Sequence, residues 1–146
     1  MLKTLAFFCI IYTTWFNQNR DVAGHCTIGY GSTFYENGSG VQMGDTITKA
    51  RANELLVYFA NQFGNEINSA VGSSTNLKQQ QFDALVSFTY NLGPENLKKS
   101  TLLAKVKANP NDATIRDEFM KWIKAGGKIQ PDLKKRREAE ADLYFS

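Results

Sequence analysis

The chain has 146 residues, 42% hydrophobic and 12% aromatic, which is enough for one domain with a real core. Seventeen basic against fourteen acidic residues leave a net charge of +3, a mild excess that would favour an anionic polymer such as a bacterial wall but that many soluble domains share. No basic stripe interleaved with aromatics argues for nucleic acid, and Cys9, Cys26 and His25 supply no metal-ligand spacing, so no metal site is expected.

Residues 1–20 hold one lysine, Lys3, before an apolar run from Leu5 to Tyr12, then two threonines, Trp15 and Phe16. An export signal is one reading, with Lys3 as its charged end. It lacks a small-x-small site just after the run, and cleavage as late as Ala23 would remove Asp21. A membrane anchor is another, but a spanning helix needs about 17 or more apolar residues. Stretched to Phe16, this run is twelve, with two threonines. Cys9 and Cys26 could join in a disulfide; two free, partly buried thiols are the expectation.

Asp21 to Thr33 reads D-V-A-G-H-C-T-I-G-Y-G-S-T. Gly24 can make a tight turn. Thr27, Ile28 and Tyr30 alternate with Gly29 and Gly31, which predicts a short strand bent by glycines. Glycine weakens a strand, so two close together imply that something approaches the backbone. The Asp21 carboxylate and the Thr27 hydroxyl could face each other across a hairpin and hold a water. They read equally as a loop aspartate and an ordinary strand threonine. Asn37-Gly38 is a turn signal, and this segment with residues 25–31 predicts a small antiparallel sheet. Glu36 reads as a solvated turn residue rather than a catalytic acid.

Thr48 can cap a long helix from about Lys49 to Ala70, with Leu55, Leu56, Phe59, Phe63 and Ile67 as core. Gly72 to Asn76 is a turn. A second helix runs from Gln79 to Leu92, its face set by Phe82, Leu85, Val86, Thr89 and Tyr90; Gly93 ends it, with Pro94 just beyond. Asn91, at that end, either bonds its own backbone or touches a ligand. Ser100 can cap Thr101 to Ala108, and Asn109 to Asp112 is a turn. A helix from about Ala113 to Ala125 follows, with Ile115, Phe119, Trp122 and Ile123 inward, stopped by Gly126-Gly127. Pro131 opens a last helix. Its Lys134, Lys135, Arg136, Arg137, Glu138, Glu140 and Asp142 can pair along the helix, which predicts a solvated face. The alternative pairs Arg136 or Arg137 with the sheet lobe or the wall. There are no repeats and no linker, so residues 1–146 read as a single domain.

"TIGYGST", with an aspartate six residues before its first threonine, resembles the phage lysozymes (endolysins) of the lambdoid type, relatives of the T-even phage lysozyme. The resemblance continues through "GDTIT", "QFDALVSFTYNLG", "STLL", "KWIKAGGK" and "KKRREAEADLYFS", and covers about Asp21 to Ser146. It implies a lysozyme-like α+β fold: a small antiparallel sheet lobe, a long connecting helix and a helical lobe, with a cleft between. The implied activity is hydrolysis of the β-1,4 bond between N-acetylmuramic acid and N-acetylglucosamine in peptidoglycan. It implies no cofactor, and a monomer that stays in the host cytoplasm until lysis.

In that family a glutamate donates a proton to the glycosidic oxygen, while an aspartate and a threonine position and activate a water. Asp21 and Thr27 match the latter two. The glutamate, nine residues before the aspartate, falls on Tyr12, and residues 1–20 contain no Asp or Glu. The resemblance also implies substrate contacts at Tyr30, Ser32 and Asn91. Cys26 stands near where the family usually has an aromatic, and Ser32 where relatives carry His. The first sixteen residues read as a replaced form of the family's N-terminal helix, or as an export or anchoring segment. The alternative function is a catalytically impaired relative that still binds glycan.

Overall fold

The computed structural model describes residues 24–146 and the backbone of Trp15–Arg20. The readings made for Cys9, Tyr12 and Asp21, and for the apolar run, lie outside the described residues. The described residues form two compact units, one ending at Asn61 and one comprising Gln62–Ser146.

In the first unit, β1 (Trp15–Arg20) pairs antiparallel with β2 (Cys26–Gly29), in a register that opposes Arg20 to Cys26 and Asn19 to Thr27. The sheet expected from residues 25–41 is present only as the isolated bridges Ile28–Ser32 and Phe34–Gly40. The glycines explain the difference. Gly29 and Gly31 take φ of +63° and +92°, which turns the chain back at Tyr30. The amides of Gly31 and Ser32 then both donate to the Ile28 carbonyl, at 3.2 and 3.0 Å, and no longer ladder can form on that side. Beyond it Asn37 makes the expected turn, its side chain accepting from Ser39 N at 2.9 Å.

Helix α1 (Lys49–Val71) starts where its cap predicts: Thr48 Oγ1 accepts from Arg51 N at 3.1 Å. Leu55 packs with Ile28 and Val41 in a core flanked by Cys26, Tyr35, Ile47 and Phe59. Glu36 is not a free turn carboxylate. Arg51 on α1 holds it in an ion pair and also reaches Glu54 at 3.0 Å.

The second unit is built around α2 (Gln79–Leu92), buried at Gln81 and from Asp83 to Thr89. Gly93, with φ of +86°, ends it by donating its N–H to Thr89 O. Pro94 then opens a short helix, α3 (Pro94–Lys99), rather than merely following a stop. Helix α4 (Thr101–Ala108) is capped by Ser100 as expected. The next helix is shorter than its pattern suggested: α5 covers only Ile115–Met120. Trp122 and Ile123 are half-buried, and β3 (Lys124–Ala125) and β4 (Lys128–Ile129) form a small hairpin. Gly126 and Gly127, both at positive φ, are its two-residue turn. Phe88 of α2 meets Phe119 and Trp122 edge-on, at ring separations of 5.7 and 5.5 Å.

Helix α6 (Pro131–Tyr144) departs most from the solvated face expected of it. Arg136, Arg137 and Glu140 are buried, and Glu140 is 0% exposed. Arg137 lies 2.9 Å from both Glu140 carboxylate oxygens, Arg136 Nε donates at 3.2 Å, and Ser87 Oγ of α2 donates at 2.7 Å. Burial pushes the Glu140 carboxyl up, and the two guanidiniums and Ser87 oppose it. Removing one partner of such a group typically costs about 3–5 kcal/mol. Lys134 and Glu138, 3.8 Å apart, do pair at the surface as expected. Among the described residues, no helix is long and apolar enough to cross a membrane.

Glu118 is a second buried carboxylate with several donors. Burial would raise its pKa, but hydrogen bonds from Lys121, Thr101 and Lys105 outweigh that and bring it from 4.5 to about 2. As pH falls, the unfolded chain therefore takes this proton first. The stabilisation is complete above about pH 5 and is lost from about 4.5 down to 2. Glu118→Gln should destabilise by on the order of 2 kcal/mol at neutral pH. Urea unfolding should show the gap between parent and variant closing as pH approaches about 2.

Candidate active site

The β1–β2 hairpin sets the place of Thr27. The strand pairing ends at Arg20 and Cys26. Thr27 is buried on β2, opposite Asn19. Cys26 beside it is a free, half-buried thiol, as expected.

Tyr30 and Ser32 follow in the glycine turn, and both are buried. The Tyr30 hydroxyl donates to Asn53 Oδ1 of α1 at 2.8 Å, which ties the turn to the helix. The group that closes on the backbone here is protein rather than ligand. A Cβ on Gly29 would lie 3.0 Å from Ala52 Cβ and 3.2 Å from Ile47 Cδ1. At Gly31 nothing lies within 4 Å, so only its φ requires glycine.

Glu36 has the wrong charge state for a proton donor. The hydrogen bond from Arg51 holds its pKa below the ordinary carboxylate range, so it is ionised at neutral pH.

Asn91 lies in the second unit, exposed at the end of α2. It does not turn back on its own backbone. Its Oδ1 accepts from Arg137 Nη2 at 2.9 Å, so a buried residue of α6 fixes its orientation. A guanidinium has donors only, so the amide turns its oxygen, not its NH2, toward Arg137. Sequence reasoning missed this role for Arg137. The available signal was Arg136-Arg137 followed by Glu140, facing an apolar helix that contains Ser87.

Cavities among the described residues of the second unit include two. One of about 360 Å³ sits at the α1–α2 corner, lined by Asn68, Thr75, Gln79 and Phe82 among others. The other, a groove of about 510 Å³, lies between Gln62, Asn65 and Glu66 of α1 and Lys98, Leu103 and Lys107. Neither is lined by the candidate residues. Among the described residues, no cluster of His, Cys, Asp and Glu could hold a metal.

The family model described as phage lysozyme matches residues 15–140. The endolysin of Bacillus phage B103 is 40% identical over 120 residues, covering 82% of this chain and 43% of that protein. The endolysin of Salmonella phage P22 is 36% identical over 127 residues, covering 86% and 84% respectively. A solved endolysin from Escherichia coli O157:H7 phage FAHEc1 superposes with a TM-score of 0.84 at 32% identity, over 99% of this chain and 91% of its own. The chain spans less than half the length of the curated Bacillus phage relatives it matches.

The turn that follows Thr27 can be tested through Gly29. Gly29→Ala combines a left-handed φ with a methyl 3.0 Å from Ala52 Cβ. It should destabilise the chain by about 1–3 kcal/mol, against a smaller loss of about 1 kcal/mol for Gly31→Asn, where φ alone is strained. Denaturant midpoints of the two variants check the contrast.

Proposed function

The chain belongs to the phage lysozyme family, and from that premise we propose that it is a peptidoglycan hydrolase. It cleaves the β-1,4 bond between N-acetylmuramic acid and N-acetylglucosamine, which leads to lysis of the bacterial cell. The observation that carries the proposal is the family match over residues 15–140, with the threonine of the family pattern, Thr27, on a hairpin strand.

Glycoside hydrolysis of this kind needs one carboxylate to activate the nucleophile and one acid to protonate the leaving oxygen. In our reading Asp21 is the ionised group, and with Thr27 it grips the attacking water. Bond cleavage then leaves an alkoxide that must take a proton. The family's acid position is Tyr12, whose phenol, with a reference pKa of about 10, is a reluctant donor. General acid catalysis is typically worth about 10²–10⁴-fold, so the chain turns over slowly.

Tyr30 and Ser32 contact glycan only through the small area they expose, and mainly shape the turn after Thr27. Asn91 offers its NH2 to a hydroxyl or N-acetyl oxygen. The whole chain acts as one lysozyme-like domain and as a monomer, on peptidoglycan and not on nucleic acid. It stays in the host cytoplasm until lysis unless residues 1–16 export or tether it. A second reading, a glycan binder without turnover, is favoured by one fact: residues 1–20 contain no Asp or Glu.

A clearing assay on outer-membrane-stripped cells separates the two. The parent should clear far more slowly than an ordinary endolysin, and Tyr12→Glu should raise the rate by about 10²-fold or more. Ordinary activity in the parent would contradict the assignment of Tyr12. Wall retention without turnover in either form would favour the binder.

Asn91 gives an independent check in the Tyr12→Glu background. Asn91→Asp keeps an acceptor for Arg137 but has no donor for substrate. KM should rise by about three- to tenfold, with kcat nearly unchanged.

A further inference from the structure

The net charge is not shared evenly. Thirteen of the seventeen basic residues but ten of the fourteen acidic ones lie in Gln62–Ser146, so that unit carries the whole +3. Its densest basic stretch is residues 121–135, which holds five lysines against one acidic residue, Asp132. Two of the five are neutralised: Lys121 by Glu118 at 2.7 Å and Lys134 by Glu138 at 3.8 Å. Lys124, Lys128 and Lys135 are exposed and have no ion-pair partner among the described residues.

Folding gives no reason for this layout. Lys135, in the N-terminal half of α6, gains nothing from the helix dipole, which favours cations only in the last turn. Ile129, opposite Lys124 on the hairpin, is left 57% exposed. The start of α6 is fastened to the hairpin: Gln130 N donates to Ile123 O at 2.9 Å and its side chain to Ala125 O at 3.3 Å. The lysines of the hairpin and of the first turns of α6 are therefore held in fixed relation, as a basic surface that wraps the ribbon.

We propose that this surface docks a linear, phosphodiester-linked polyanion of the bacterial wall. The pairing of Lys124 with Ile129 and of Ala125 with Lys128 puts the two hairpin lysines on opposite faces of the ribbon. A flat bilayer cannot meet both faces, and a flexible chain can. Nucleic acid fits less well, because base stacking needs an exposed aromatic and the exposed large apolar group here is Ile129. The proposal rests on charge layout and geometry, not on the catalytic reading.

The test is co-sedimentation of the full chain with purified walls. One sample keeps its phosphate polymer and the other is stripped of it with hydrofluoric acid. The parent should bind intact walls more tightly, with affinity falling as salt rises. Lys124→Gln/Lys128→Gln/Lys135→Gln should lose roughly a hundredfold at low salt, at about fivefold per lysine near a polyanionic surface. Turnover of stripped walls, whatever its rate in the parent, should be the same in the triple variant. Unchanged binding by the variant would overturn the proposal, as would equal binding to stripped walls. Tighter binding to anionic phospholipid vesicles or to an oligodeoxythymidine would overturn it too. Binding is read without turnover, so a silent active site leaves the result decisive, and failure of one proposal is distinguishable from failure of the other.

Discussion

Glu140 has no access to water, and its charge is sustained only by groups the fold brings to it. Two of these, Arg136 and Arg137, come from its own helix, at spacings of four and three residues. The third, Ser87, comes from α2 and so clamps α6 against the helix at the centre of the unit. The Arg137 guanidinium also lies 5.0 Å from the centre of the Phe88 ring, so the polar cluster is continuous with the aromatic core. Such an arrangement is poor at adding net stability, because desolvation consumes most of the Coulomb attraction. It is good at fixing one packing, since a slip of either helix would strand a charge. The same guanidinium reaches outward to Asn91, so the rigidity of the cluster passes to an exposed amide.

The first unit is organised by shape rather than charge. Gly29 lets β2 run against Ala52 of α1, and Tyr30 bonds to Asn53 one residue further along the helix. Two adjacent helix positions thus take one contact each from the turn. Thr27, two residues before Gly29, inherits its position from that seating. The role proposed for Thr27, holding the attacking water, needs such a platform, because small displacements are costly in a bimolecular step made intramolecular.

Local signals were the most legible part of the sequence. Thr48, Ser100, Gly93 and Pro131 each mark a helix boundary through a single hydrogen bond or a fixed φ, and each sits where the pattern put it. Residues whose role depends on distant partners were read poorly. A run of alternating charges on α6 looks solvated until Ser87 and Phe88 are seen to cover part of it. Glu36 looks free until Arg51, fifteen residues on, is brought to it by α1. In sequence Gly126-Gly127 reads as a helix stop, although two residues with positive φ between short extended pairs specify a hairpin turn equally well. For the candidate site, the family pattern named Asp21, Thr27, Tyr30, Ser32 and Asn91. It had no means of supplying the Arg137–Asn91 bond, which forms between segments 46 residues apart.

That hairpin turn has a chemical corollary. Gly126 and Gly127 hold φ of +58° and +77°, and a side chain built on either would meet nothing within 4 Å. These are the backbone angles that mirror-image amino acids prefer. A D-alanine introduced there by ligation would sit without strain, narrow the freedom of the unfolded chain, and present an unnatural stereocentre to any protease that approaches the tip.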